Sequence, residues 1–90
     1  MALSARAAIE KTVRDRLSAE AVDAVWVREG EDNDEQPVWR ITVVLKKPLS
    51  SINRREMIAL ARHIRSAIQD DRFPMIEFLS VADAKKRAAA

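Results

Sequence analysis

His63 is the only histidine of the chain, and imidazole is the side chain best suited to moving protons near neutral pH. Ser66 follows it by three positions, close enough to touch on a helix. Nothing else joins them. With a single histidine and no cysteine, two-histidine metal motifs, imidazole relays, thiolate nucleophiles and disulfides are excluded. The other serines, Ser4, Ser18, Ser50, Ser51 and Ser80, lie in no nucleophile-elbow sequence. Gly30 is the sole glycine, so phosphate loops and dinucleotide fingerprints, which need several, are excluded too. His63 therefore reads as a residue of a polar helix flank. The expectation is a chain without catalytic apparatus, cofactor or bound metal.

Charge offers the other chemistry. Lys46, Lys47, Arg54 and Arg55 flank the start of a helix, and Arg62 lies two turns beyond Arg55, with Arg65 nearby. Helix N-terminal amides together with these side chains form a candidate patch for a phosphate, a nucleic acid or an acidic partner. The simpler reading is a solvated helix face, because stacking aromatics are missing and Glu56 interrupts the patch. Acidic residues gather at 29–37, where Glu29, Glu31, Asp32, Asp34 and Glu35 surround Gly30 and Pro37 closes the segment. Asp32 and Asp34 have the spacing of a calcium loop. Counting from Asp32, however, puts Pro37 where the glycine belongs and Val43 where the bidentate glutamate belongs. The segment reads as a solvated, mobile hairpin tip.

These residues must be positioned by a small set of elements. The clearest runs through residues 53–69, where Asn53 followed three positions later by Glu56 marks a helix start, and Ile52 with Met57 can close as a hydrophobic staple. Met57, Leu60, Ala61, Ile64, Ala67 and Ile68 form one apolar stripe. Pro74 prevents the helix from resuming, and residues 75–79 read as a strand. Near the start, Ala5, Ile9, Val13 and Leu17 are spaced by four, with Ala2 and Ala8 supporting the row and Ser4 as its cap. Residues 21–29 and 38–46 read as two strands. The second alternates cleanly, with Trp39, Ile41, Val43 and Leu45 on one side; the first carries apolar residues on both sides. A register pairing Trp26 with Trp39, Ala24 with Ile41 and Val22 with Val43 collects a coherent apolar set on one face.

The order is helix, strand, strand, helix, strand: an α+β fold with two helices packed on one face of a three-stranded sheet. If strands two and three are neighbours they are parallel. Ninety residues suit one domain, taken as 1–82, with 83–90 as a basic tail around Lys85, Lys86 and Arg87 that adds a turn of helix or frays. Two helices cover one sheet face only. The other should expose Val25, Val27, Val38, Val44, Met75 and Leu79, a candidate interface.

Charged residues make up 33% of the chain but nearly cancel to +2, which is weak support for nucleic acid. The start has no apolar run of signal-peptide length, and no stretch approaches the ~18 apolar residues of a membrane span. The expected setting is the cytoplasm, with no membrane partner.

The element order, with ARHIRSAIQDDRFPMIEFLS leading into the last strand, resembles type II KH domains and their ribosome-binding factor A relatives over the last third of the chain. The Gly-x-x-Gly clamp with which KH domains grip RNA has no counterpart here, so the resemblance carries RNA binding to no named residue. The same order is similar to the cytoplasmic dimerisation domain of cation-diffusion transporters. One histidine and no cysteine carry no metal sensing across. The function expected is non-catalytic protein–protein association, as a small homodimer or accessory subunit using the open sheet face or a strand edge. The alternative is a KH-like nucleic-acid-associated module using the basic patch.

Overall fold

The computed structural model describes residues 4–89, so Ala2, expected to support the first helical row, and Ala90, the end of the expected tail, lie outside the described residues. The fold is a mixed α+β domain built on a three-stranded sheet. Helix α1 spans Ala5–Leu17 and starts where Ser4 accepts from the Ala7 amide at 3.2 Å. Its four-residue spacing buries Ile9, Val13 and Leu17, while the Lys11–Asp15 and Glu10–Arg14 pairs decorate the outer faces. Ser18 takes a positive φ of 77° and turns the chain toward the sheet.

Strands β1 (Val22–Glu31) and β2 (Pro37–Leu45) pair antiparallel. Their register corrects the expected one. Trp26 lies opposite Thr42 and not Trp39, and Val25 and Val27 oppose Val43 and Ile41. The offset is three residues, and an odd offset exchanges every side chain between faces. An irregularity between Val22 and Ala24 leaves Asp23 without a partner, and this extra residue brings Val22 opposite Leu45. Three valines spaced three and then two apart thereby join one face. The hairpin tip holds a turn through its own hydrogen bonds. Asp32 accepts from the amides of Asp34 and Gln36, both at 2.9 Å, and Glu35 adopts φ 62° to close the turn.

After a single 3-10 turn at Leu49–Ser51 comes helix α2, Arg54–Ile68. Asn53 caps it by accepting from the amides of Arg55 and Glu56, and Gln69 closes it in the left-handed conformation, its N–H donating to Arg65. Strand β3 (Phe73–Ser80) then runs parallel to β2, and the sheet order is β1-β2-β3. The core lies between this sheet and the two helices: Ile9, Val13 and Leu17 from α1 and Leu60 and Ile64 from α2 meet Val22, Val27, Trp39, Ile41, Val43 and Leu45. Ile52 and Met57, the expected staple, both pack against it.

The expected picture of a bare second face needs correction, and of the two outcomes expected for the tail, helix or fraying, the structure shows helix. Residues Val81–Ala89 form a third helix, α3, capped where Ser80 accepts from the Asp83 amide at 3.1 Å. Ala84 is buried, and Arg87 pairs with Glu77, which also accepts from Thr42 at 2.9 Å. Thr42 and Glu77 lie opposite each other on the face turned away from α1 and α2. Helix α3 therefore covers one end of the second face.

Candidate association surface

A three-stranded sheet has two edges, and this chain treats them oppositely. Along β1, α1 aims two guanidinium groups at main-chain carbonyls: Arg6 donates to Val27 at 2.5 Å and Arg14 to Val22 at 3.2 Å. These side chains occupy two of the acceptors that an added strand would need. Along β3, no hydrogen bond from any described residue outside β2 reaches the main chain. The eight-residue strand is an open template, apart from Pro74, which has no amide to offer.

The surroundings of that open edge are apolar. Phe73 is 53% exposed and Met75 40%, while on the neighbouring flank of α2 and the turn before it Ile58 is 76% and Leu49 51% exposed. Met57, Ala61, Phe73, Met75, Ile76 and Phe78 line one groove along the strand, with Arg28, Arg40 and Glu77 at its second-face side, and the groove continues into another lined by Leu49, Ile52, Ile58 and Arg54. Four of the five large exposed hydrophobic side chains border this shelf. Soluble monomers seldom concentrate them so.

One polar device anchors the start of the strand. Arg72 sits over the Trp39 ring at 4.3 Å, donates to Glu29 at 2.6 Å and approaches Asp70 at 3.3 Å. The Glu29 hydrogen bond raises the Arg72 pKa, and the Arg72 amide, with its charge in support, holds the Asp70 carboxyl below its ordinary range. On the other face, the Thr42 hydroxyl first and Arg87 second hold Glu77 below its ordinary range.

The six residues expected to form an interface do not share one face. Val25 and Val27 sit on the helix-covered side, Val27 within the core and Val25 packed against it. Val38, Val44, Met75 and Leu79 do lie together on the second face, but Val38 and Val44 are buried and Leu79 is half-buried. Only Met75 is well exposed. The three-residue register offset explains the split.

The basic patch is likewise divided. Lys46, Lys47, Arg54, Arg55 and Arg62 are all exposed, yet Arg54 lines the groove beside Leu49 and Ile58, whereas Arg55 and Arg62 line a separate depression with Glu56 and His63. Lys46 and Lys47 occupy the bend after β2 and line neither. Asn53 already takes the Arg55 and Glu56 amides, two donors that an anion at this terminus would use. Glu56 forms no reciprocal bond to Asn53, and one of its oxygens is buried without a partner. His63, on α2, lines a depression with Thr12, Asp15 and Arg16 of α1 and with Ser66.

The sequence reading missed Leu49, Ile58 and Phe73. Ile58 carried a signal, being the large apolar residue of α2 that falls off the stripe. Among the described residues, no three His, Asp or Glu side chains gather where they could hold a metal ion, and no helix is long and apolar enough to cross a membrane. Comparison of the chain with family models and with curated proteins finds no match, and the resemblances drawn from element order stand on topology alone.

Proposed function

We propose that this chain is a non-catalytic association module that accepts a β-strand along the free edge of β3, with a second copy of itself as the partner. The observation that carries the proposal is the unequal treatment of the two edges: β1 is closed by Arg6 and Arg14, while β3 is open and bordered by exposed Phe73, Met75, Ile58 and Leu49. An edge strand is self-complementary about a two-fold axis. Antiparallel β3–β3 pairing would give a closed, six-stranded dimer with the α2 flanks side by side. Main-chain hydrogen bonds supply register there, and the apolar shelf supplies affinity.

Because the chain has no cysteine, single-cysteine variants test this cleanly. Phe73→Cys, Met75→Cys and Glu77→Cys are oxidised under dilute conditions, with Asp23→Cys on β1 as the control. Directly opposite residues bring their Cβ atoms within disulfide reach only near the axis. One β3 position should cross-link much faster than its neighbours and than the control, and light scattering should give twice the chain mass. A monodisperse monomer at high concentration with no preferred cross-link overturns the proposal.

A further inference from the structure

We propose that the part of the second sheet face left bare by α3 is a docking platform for single-stranded nucleic acid. Helix α3 lies over the end that carries Val44 and Leu79. The other end presents Trp26, Arg28, Arg40, Met75 and Phe73 across three strands. Arg28 and Arg40 stand directly opposite each other, and neither has a carboxylate within 4.0 Å. Like charges opposed across a ladder destabilise a sheet, and here the strain is only partly relieved, by Arg40 donating to the Glu31 carbonyl at 2.8 Å and by the attraction between Arg28 and Glu77. Trp26, 38% exposed, and Phe73 bracket the pair.

Alternation keeps acids off this platform. Glu29 and Glu31 oppose Trp39 and Pro37 and so point to the helix-covered side, where Glu29 engages Arg72. Glu77, the acid that the paired strand residues do place on the second face, is held by Thr42 and Arg87. The acidic tip borders only the Gly30 end, which limits the platform to a short run of bases. Trp26 and Phe73 lie two strands and four rows apart, a diagonal of roughly 16 Å from strand spacing and rise. The two arginines lie between them. Aromatic rings at both ends with cations in the middle match unstacked bases joined by phosphates, and a duplex offers no exposed base faces to stack. A strand added at β3 extends the sheet in its own plane and leaves Trp26, Arg28 and Arg40 open, while Phe73 and Met75 border both the platform and the dimer edge and are shared between them.

The two tryptophans give the assay. Trp39 is 4% exposed in the core, so a change in emission on adding ligand reports Trp26. The probe is an oligothymidylate of roughly a dozen nucleotides, titrated at low salt. Binding should quench the emission. Two phosphate contacts on a single strand predict a salt slope of about −1.4, or about sevenfold weaker binding between about 50 and 200 mM salt. Arg28→Gln/Arg40→Gln should weaken binding at least tenfold and flatten that slope, and Trp26→Leu should weaken it about tenfold, detected by anisotropy of a labelled oligonucleotide. Arg54→Ala/Arg55→Ala/Arg62→Ala should bind like the parent. All the substituted side chains are exposed, and unchanged circular dichroism confirms folding. Absence of binding, equal affinity for duplex, equal affinity for a polyglutamate peptide, or loss through the α2 variant in place of the sheet variant each overturns the proposal.

Discussion

Removing the two arginines that close β1 tests the edge argument most directly. In Arg6→Ala/Arg14→Ala, the carbonyls of Val27 and Val22 lose the donors now at 2.5 and 3.2 Å. Each such bond contributes about 0.5–1.5 kcal/mol net, so the pair stabilises the fold by about 1–3 kcal/mol. For a domain of this size each kcal/mol moves Tm by about 4–8 °C, which puts the expected drop on the order of 10 °C. The larger consequence concerns assembly. A dimer closed through β3 leaves one β1 edge at each end, and freeing both lets dimers pair end to end without closure. Sedimentation velocity at increasing concentration should show the parent as one species and the variant as a concentration-dependent ladder. Arg16→Ala, on the exposed side of α1, is the control and should behave as the parent. A variant that keeps both the parent's Tm and its size distribution refutes the view that these side chains guard an edge.

Three further outcomes follow from the packing. Ile64→Ala, in the fully buried row of α2, should cost about 2–5 kcal/mol by denaturant unfolding, and a loss below 1 kcal/mol would mean the helix is not seated as described. Asn53→Ala removes the acceptor for two amides and should cost about 1 kcal/mol, whereas Asn53→Asp should be nearly neutral. Glu77 has its folded pKa lowered from 4.5, chiefly by Thr42 and then by Arg87. Its contribution is therefore complete above about 4.5 and is lost as pH falls through the lower folded value. Hydrogen exchange should show α3 amides losing protection in that acidic window ahead of α2, and Thr42→Val should remove most of the difference. Identical acid profiles for the two helices would count against the coupling.

Much of this arrangement was legible because local rules agreed with the fold. Ser4 and Asn53 are caps, and the stripes through Ile9, Val13 and Leu17 and through Leu60 and Ile64 match what is buried. Strand β1 was not legible, for a definite reason. VDAVWV satisfies either face until the extra residue at Asp23 is known, and a bulge is invisible to a period-two count. Helix α3 was hidden differently. A nine-residue segment rich in alanine and lysine is too short to persist alone, so only its seat on β2 and β3 makes it a helix. The edge guards were hidden by distance, since Arg6 reaches a carbonyl 21 residues away.

The register offset also explains why the candidate surfaces moved. Shifting β1 by three residues carries Val25 and Val27 into the core, which removes the apolar surplus expected on the second face. The same shift turns Glu29 toward Arg72 and sets Arg28 beside Arg40. One odd displacement thus takes two valines off the second face and brings Trp26 and Arg28 onto it beside Arg40. Large apolar side chains stay exposed at Phe73 and Met75 on the last strand, at Ile58 and Leu49 beside it, and at Trp26 on β1. That redistribution is why the proposed self-association is placed at the β3 edge and the proposed ligand site on the second face.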